Sequence, residues 1–278
     1  MSAPERIPPP DGGVTDPLLD GELKVEGRLT DASNATLYCV AVLGEGDRAA
    51  SVTCVYKPIA GENPLWDFPD GTLAAREVAA YEVSVALGWN LVPDTIMRDG
   101  PYGPGMCQRW IETDGAEDGG QLLAVLPGDV KEADLVDWCP IMRVGVGDDE
   151  EGVLVHRDAE SLRRIALFDV VINNADRKGG HLLPVGDGHV YAIDHGVAFH
   201  TEDKLRTLLW GFADRRLTAS EIADLKRIKA DSALRERLGA LLARDEIDAF
   251  SARIDALLAV GRFPGPEGRR RPIPWPLV

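Results

Sequence analysis

The stretch NNADRKGGHLLPVGDGHVYAIDHGVAFH, residues 173–200, places two carboxylates at the two ends of a short hairpin pattern. Asp176 opens a polar loop directly after a helical pattern, and Asp194 ends an apolar strand pattern. His181 lies between them on the same loop. A phosphoryl-transfer site needs such parts, because one carboxylate orients the attacking hydroxyl while a second holds Mg²⁺ against the nucleotide phosphates. The stretch therefore predicts a phosphoryl-transfer site.

Two motifs in this stretch carry a resemblance to a known family. Residues 174–177 (NADR) with His181, followed by residues 193–199 (IDHGVAF), resemble the catalytic and metal-binding motifs of type II phosphatidylinositol 4-kinases. Those motifs read roughly N-T-D-R-x-x-x-N and I-D-N-G-L-A-F. More widely, the chain resembles the atypical kinase group of phosphatidylinositol 3-/4-kinases and HipA-type protein kinases, and most closely an actinobacterial branch of phosphatidylinositol-kinase-like proteins.

The resemblance implies an α+β, bilobal protein-kinase-like fold, with a small β-rich N-lobe that contains one long helix and a larger helical C-lobe. It implies ATP and Mg²⁺ or Mn²⁺ as cofactors. Asp176 would be the catalytic carboxylate and Asp194 a metal ligand. Arg177 and Lys178, next to Asp176, are expected to neutralise the charge of the transferred group.

Two histidines depart from the family pattern. His181 stands where the family has an Asn that binds the second metal, and His195 replaces the Asn of the D-N-G motif. Imidazole is a poorer ligand for Mg²⁺ than an amide or carboxylate oxygen. We expect His181 to bind the metal together with Asp194, with a preference that moves towards Mn²⁺.

The nucleotide side of the site needs a cation on a central strand. Lys57 ends the strand pattern SVTCVYK, and Glu77 on the following helical pattern is the expected ion-pair partner, with Glu82 as the alternative. The predicted phosphate loop is residues 31–35. Further nucleotide contacts are predicted for two residues of this loop and for the hinge that binds adenine: Ser33, Asn34, Gln108, Arg109, Trp110 and Ile111.

The predicted order of segments runs along the whole chain. A flexible, Pro/Gly-rich arm covers residues 1–20, the N-lobe covers 21–111, the C-lobe 112–262, and a basic, Pro-rich tail covers 263–278. Three strand patterns precede Lys57, a helix covers residues 72–87 up to Gly88, and two more strands follow. Residues 112–151 are strongly acidic and end in a predicted exposed loop.

Three alternative interpretations remain open. The order His156-Arg157-Asp158 spells the HRD of ordinary protein kinases, but Asp158 is also a candidate helix N-cap. A nucleotide-binding pseudokinase would use the same fold without turnover. A metal-dependent hydrolase is suggested by four histidines near the two aspartates: His181, His189, His195 and His200.

Composition excludes several classes. The chain has 278 residues, with 46 acidic and 30 basic side chains and a net charge of −16, which argues against nucleic acid and against stable membrane association. Four cysteines without a CxxC pair favour a reducing, cytoplasmic location. The expected partners are a nucleotide and an acceptor; the acceptor and the oligomeric state stay open.

Overall fold

The computed structural model describes residues 16–29, 34–46, 49–113, 122–147 and 150–277, which form a β-rich N-terminal part followed by a mainly helical part. The α+β, bilobal kinase-like class expected from the sequence is confirmed. The four cysteines are buried and unbonded, as small apolar side chains are. Among the described residues, no helix is long and apolar enough to cross a membrane.

The N-terminal part is one antiparallel sheet with the strand order β1-β2-β3-β5-β4. Its strands are β1 (Glu22–Arg28), β2 (Leu37–Leu43), β3 (Ala50–Pro58), β4 (Thr95–Gly100) and β5 (Gly103–Arg109). β2 and β3 are rich in β-branched and apolar residues, and all five strands overlap the predicted strand segments. β3 is the central strand, and Lys57, near its end, is paired with Met106 of β5.

A short helix, α1 (Pro17–Asp20), precedes the sheet. Asp16 caps it by accepting from the Leu18 N–H at 2.9 Å, and Leu18 is buried in the core of the sheet. The predicted arm of residues 1–20 therefore does not include residues 16–20. Residues 1–15 lie outside the described part of the chain.

The long predicted helix is α2 (Leu73–Leu87), and it ends at Gly88 in the left-handed conformation (φ 67°). Its small residues Ala79, Ala80 and Val83 share one buried core with the C-terminal helices. Helical spacing alone predicts that Val85 shares one apolar face with Ala74 and Val78, but Val85 is 51% exposed whereas the other two are buried. The helix α2 is buried on several sides and not along a single apolar stripe.

A second antiparallel sheet, with the order β6-β8-β7, occupies the acidic segment. Its strands are β6 (Leu123–Pro127), β7 (Trp138–Gly145) and β8 (Glu151–Arg157). The sequence does not predict these strands, because acidic residues dominate residues 112–151. The described acidic side chains of this segment lie mainly in turns and at strand ends, while Leu154 and Val155 of β8 are buried.

The C-terminal part consists of helices around a small hairpin. The helices are α3 (Glu160–Ile172), α4 (Ala219–Ala230), α5 (Ser232–Gly239) and α6 (Arg244–Val260). The hairpin strands are β9 (Leu182–Pro184) and β10 (Val190–Ala192), and they lie between the two motifs of residues 173–200. The hairpin therefore carries Asp194 back to the loop of Asp176.

Asp158 does not cap α3. The residue before the helix is Ala159, without a side-chain cap, and Asp158 instead pairs with Arg215 at 2.7 Å. The C-terminal end of α3 is Asn173, whose left-handed backbone (φ 57°) turns the chain into the NADR loop.

Candidate active site

The centre of the site is a shared ion pair. Lys57 Nζ donates to Glu77 Oε1 at 2.7 Å and to Asp194 Oδ1 at 2.8 Å. Burial disfavours the charge of Lys57, but the carboxylates of Asp194 and Glu77 more than offset this and raise its pKa. The Lys57 ammonium in turn holds the pKa of Asp194 well below its usual range. The pair expected between Lys57 and Glu77 is present, whereas Glu82 binds Arg237.

Two features place these three side chains. Glu77 lies on α2 and also accepts the backbone N–H of His195 at 2.8 Å, so that α2 is joined to the turn after Asp194. Arg76, the preceding residue, donates to the carbonyl of Ala198 at 2.6 Å and pairs with Glu246. The helix is therefore held against the C-terminal part by both Arg76 and Glu77.

The second carboxylate lies across the same cleft. Lys178 Nζ lies 3.1 Å from Asp176 Oδ2, and His181 Nε2 lies 3.3 Å from Asp194 Oδ2. Burial raises the pKa of Asp176, and the charge of Lys178 opposes this. Burial lowers the pKa of His181 to about 4, so its ring is neutral at pH 7. A carboxylate with a raised pKa suits an acceptor of a hydroxyl proton.

A cleft of about 700 Å³ joins these groups to the predicted hinge. Its lining includes Lys57, Asp176, Lys178, His181, Asp194, Asn34, Gln108, Arg109, Trp110 and Ile111. The polypeptide on the hinge side is fixed, because Trp110 donates its backbone N–H to Thr53 at 2.9 Å and Gln108 donates its side-chain amide to Thr95 at 2.9 Å. The structure thus brings the predicted nucleotide residues to one cleft. Ser33 lies outside the described residues.

Arg177 differs from its predicted role. Its side chain is fully buried and pairs with Asp169 at 3.0 Å, and it donates to the carbonyl of Ile193 at 2.9 Å and to His195 Nε2 at 2.7 Å. A guanidinium committed in this way cannot face a transferred phosphoryl group. The prediction that Arg177 is catalytic is therefore wrong, and its role is to position the loop.

The histidines do not converge on one point. His195 is buried beneath the site beside Arg177, His200 bonds to the carbonyl of Asp67 at 2.9 Å, and His189 packs against Tyr191. No group of three His, Cys, Asp or Glu side chains among the described residues could hold a metal ion. The four histidines on which the hydrolase interpretation depends therefore do not form one metal site.

The donor set fits a cation that arrives with nucleotide. One carboxylate, Asp194, faces the cleft with 47% of its side chain exposed, and neutral His181 lies beside it with its Nδ1 buried and unpartnered. Mg²⁺ in nucleotide sites is commonly bound through one or two carboxylates plus phosphate oxygens and waters. Asp194 and His181 would therefore need phosphate oxygens and waters to complete such a site.

Sequence reasoning missed the residues that position the site. The sequence does not identify Arg76 or the pair of Asp169 and Arg177 as parts of the site. Asp169, however, lies on the apolar face of α3. An acidic residue at such a position is a signal, because buried carboxylates are almost always paired. Its partner, Arg177, was assigned elsewhere.

Comparisons with known proteins agree with this architecture. No protein-family model matches the chain. The match to the solved structure of hydra Fam20 with sugar covers 88% of this chain and 86% of the Fam20 chain, with a TM-score of 0.52 and 14% identity. The match to the Helicobacter pylori proinflammatory kinase CtkA covers 86% of this chain and 92% of CtkA, with a TM-score of 0.44 and 9% identity. The fold of the chain is therefore kinase-like.

A relative of high identity gives the family. The chain is 49% identical over 273 residues to Protein Rv2133c of Mycobacterium tuberculosis (strain ATCC 25618 / H37Rv), which covers 93% of both proteins. The chain belongs to the family of Protein Rv2133c.

Proposed function

We propose that the protein is an ATP- and divalent-metal-dependent phosphotransferase with a hydroxyl acceptor. The observation that carries the proposal is the position of Lys57 Nζ between Glu77 and Asp194, at 2.7 and 2.8 Å. In phosphoryl-transfer enzymes of this kind the lysine contacts nucleotide phosphates and the aspartate holds the metal. The motif resemblance to phosphatidylinositol 3-/4-kinases supports the same chemistry without naming the acceptor.

The roles of the residues follow from their positions. Lys57 binds and orients the phosphates, and Glu77 keeps its ammonium directed into the cleft. Asp176 orients the acceptor hydroxyl and takes its proton, while Lys178 lies close enough to neutralise charge on the transferred group. Asp194 with His181 would hold Mg²⁺ or Mn²⁺, which supplies charge neutralisation on the phosphates. Residues 108–111 would form the adenine edge of the cleft.

A direct test measures ATP binding and turnover with Mg²⁺, with Mn²⁺ and with neither, followed by an acceptor screen. The proposal expects binding that depends on Lys57 and turnover that depends on Asp176 and a metal. Asp158→Asn serves as a control. Asp158 pairs with Arg215 and does not line the cleft, so this variant removes a carboxylate away from the nucleotide. Absence of nucleotide binding in any metal would overturn the proposal.

A pseudokinase is the second candidate, and one observation favours it. The second-metal position holds His181 rather than an oxygen ligand, so only Asp194 supplies a carboxylate. This candidate expects ATP binding without turnover in either metal. Turnover above that of Asp176→Asn would decide for the phosphotransferase.

A further inference from the structure

A second cavity lies in the C-terminal part of the chain, and we call it the C-terminal cavity. It has a volume of about 670 Å³ and is lined by one side of α6 and by residues within 201–205 and 262–264. None of its described lining residues also lines the cleft of Lys57 and Asp176. A cavity of this size is large enough to hold a small organic ligand.

The walls of the C-terminal cavity are mainly apolar. The apolar lining residues are Ala249, Ala252, Ala256, Leu257 and Val260 of α6, together with Val170, Leu205, Phe263 and Pro264. The side chains that α6 contributes recur at intervals of three and four residues, so they share one side of the helix. Ala256 and Val260 are exposed, and a ligand that covered them would remove apolar surface from water.

One cation lies in this apolar wall. Arg253 lines the cavity, and it donates from Nε to the carbonyl of Val171 at 3.1 Å and from Nη1 to the carbonyl of His200 at 3.1 Å. These two bonds hold the guanidinium in place. Its Nη2 is buried and has no hydrogen-bond partner among the described residues. A buried donor without an acceptor is destabilising, and an acceptor on a ligand would remove this cost.

The charge of Arg253 also lacks a counter-ion. Burial lowers the pKa of Arg253 to about 10, so the guanidinium is still charged at pH 7. The charges of Asp203 and Glu246 act on it. However, Asp203 pairs with Arg269 and Glu246 pairs with Arg76. Within the described part of the chain Arg253 forms no ion pair, and a charge held away from water is costly unless it is paired.

The charges of the lining favour a ligand with one negative charge. The cavity is lined by three arginines and two aspartates, with a formal charge of +1: Arg253, Arg262, Arg269, Asp203 and Asp214. A carboxylate balances this charge, whereas the second charge of a phosphate would remain unbalanced beside the aspartates. Since Nε and Nη1 are already used, Arg253 offers Nη2 alone, which suits a carboxylate oxygen better than a group that needs the whole guanidinium fork.

We infer that the C-terminal cavity is a binding site for a carboxylic acid with an apolar body. The carboxylate accepts from Arg253 Nη2, and the apolar body lies along α6. The carbonyl of His200 that holds Arg253 also accepts from Asn173 Nδ2 at 2.9 Å, so the ligand lies beside the residue that begins the NADR loop. This site is separate from the nucleotide cleft, and the inference does not depend on phosphoryl transfer.

Binding of decanoate tests the site with a simple ligand of this class. It is measured by titration calorimetry on the full chain at pH 7, below the concentration at which decanoate aggregates, with decanol and acetate as comparison ligands. We expect decanoate to bind and decanol to bind at least about tenfold more weakly, because decanol lacks the charge that pairs with Arg253. Acetate should show no measurable binding, because it lacks the apolar body.

Three variants locate the binding. Ala256→Phe fills the cavity from an exposed position and keeps Arg253, so it should weaken decanoate binding by more than about tenfold. Ala259→Phe is the matched control, because Ala259 is an exposed alanine of α6 that does not line the cavity, and it should bind decanoate as wild type does. Arg253→Met should remove the preference for decanoate over decanol. If thermal melting shows that Arg253→Met does not fold, the two alanine variants and the three ligands still decide.

Several results would overturn the inference. These are no binding of decanoate to wild type, equal binding of decanoate and decanol, or equal binding of decanoate by Ala256→Phe and Ala259→Phe. Sedimentation of the same proteins tests a second copy of the chain as the occupant. Self-association that Ala256→Phe abolishes and Ala259→Phe retains would assign the cavity to an interface and would also overturn the inference. Loss or absence of ATP binding bears only on the proposed phosphotransferase.

Discussion

Replacement of Lys57 by Met should affect two properties, namely the binding of nucleotide phosphate and the neutralisation of the buried carboxylate of Glu77. The side chain of Glu77 is only 2% exposed, and Lys57 is its ion-pair partner. Removal of one member of a buried pair costs about 3–5 kcal/mol. Here the cost is smaller, roughly 2 kcal/mol, because Lys57 itself is 20% exposed and Glu77 keeps the N–H of His195. Asp194 is half exposed and can be solvated.

The expected loss is measurable in two assays. For a chain of this size, about 2 kcal/mol corresponds to a fall in Tm of roughly 3–4 °C. ATP affinity should fall about tenfold or more, which is about 1.4 kcal/mol, because a cation that faces phosphate is lost. Differential scanning calorimetry gives the first quantity and titration calorimetry the second.

The double variant Lys57→Met/Glu77→Gln distinguishes the two causes. Gln keeps the shape of Glu77 and removes its charge, so most of the lost stability should return while ATP affinity stays low. A double variant no more stable than Lys57→Met would refute the argument that an unpaired buried carboxylate causes the loss. Recovery of ATP binding would show that distortion, rather than the missing ammonium, had weakened it.

The remaining predictions concern four other side chains. Asp176→Asn should lower turnover by about 10²-fold or more, because the acceptor of the hydroxyl proton is lost, whereas Asp158→Asn should leave turnover unchanged and cost under about 1 kcal/mol of stability in denaturant titration. Since the pKa of His181 is about 4, the rate of the wild type should persist well below pH 6.5, and pH–rate profiles of wild type and His181→Asn should differ only towards pH 4. Burial lowers the pKa of His156 to about 4, so the free energy of unfolding should fall as the pH drops from about 6.5 to 4, and this slope should be smaller in His156→Gln. A stability curve of equal slope in both proteins would contradict the last of these.

The sequence predicts the local elements of this fold well. The strands before Lys57, the helix that ends at Gly88 and the helix that precedes Asn173 each carry their own pattern of apolar spacing and turn residues. The pair of Lys57 and Glu77 could be named because both lie on strongly patterned elements in a known order. The second sheet was missed, since its strands are short and lie in a segment dominated by acidic residues.

The side chains around the two carboxylates could not be assigned in the same way. Arg177 adjoins Asp176 in the chain, and adjacency suggested a catalytic cation. Which way a loop side chain points depends on what is buried beneath the loop, and here that is Asp169 of α3, eight residues earlier. The docking of the tail is likewise invisible in the sequence, because the contacts from Pro272 and Leu277 use backbone carbonyls, which carry no signature of residue type.

The buried network explains why a histidine can replace the asparagine that follows Asp194. His195 Nε2 accepts from Arg177, and Arg177 at the same time holds Asp169 and the carbonyl of Ile193. Burial and the charge of Arg177 keep the pKa of His195 well below its usual value, so the ring stays neutral and can accept. The loop of Asp176 and the turn of Asp194 are therefore joined beneath the cleft by one guanidinium. The histidine at position 195 is therefore part of the buried network that joins the two segments, and it does not face the cleft.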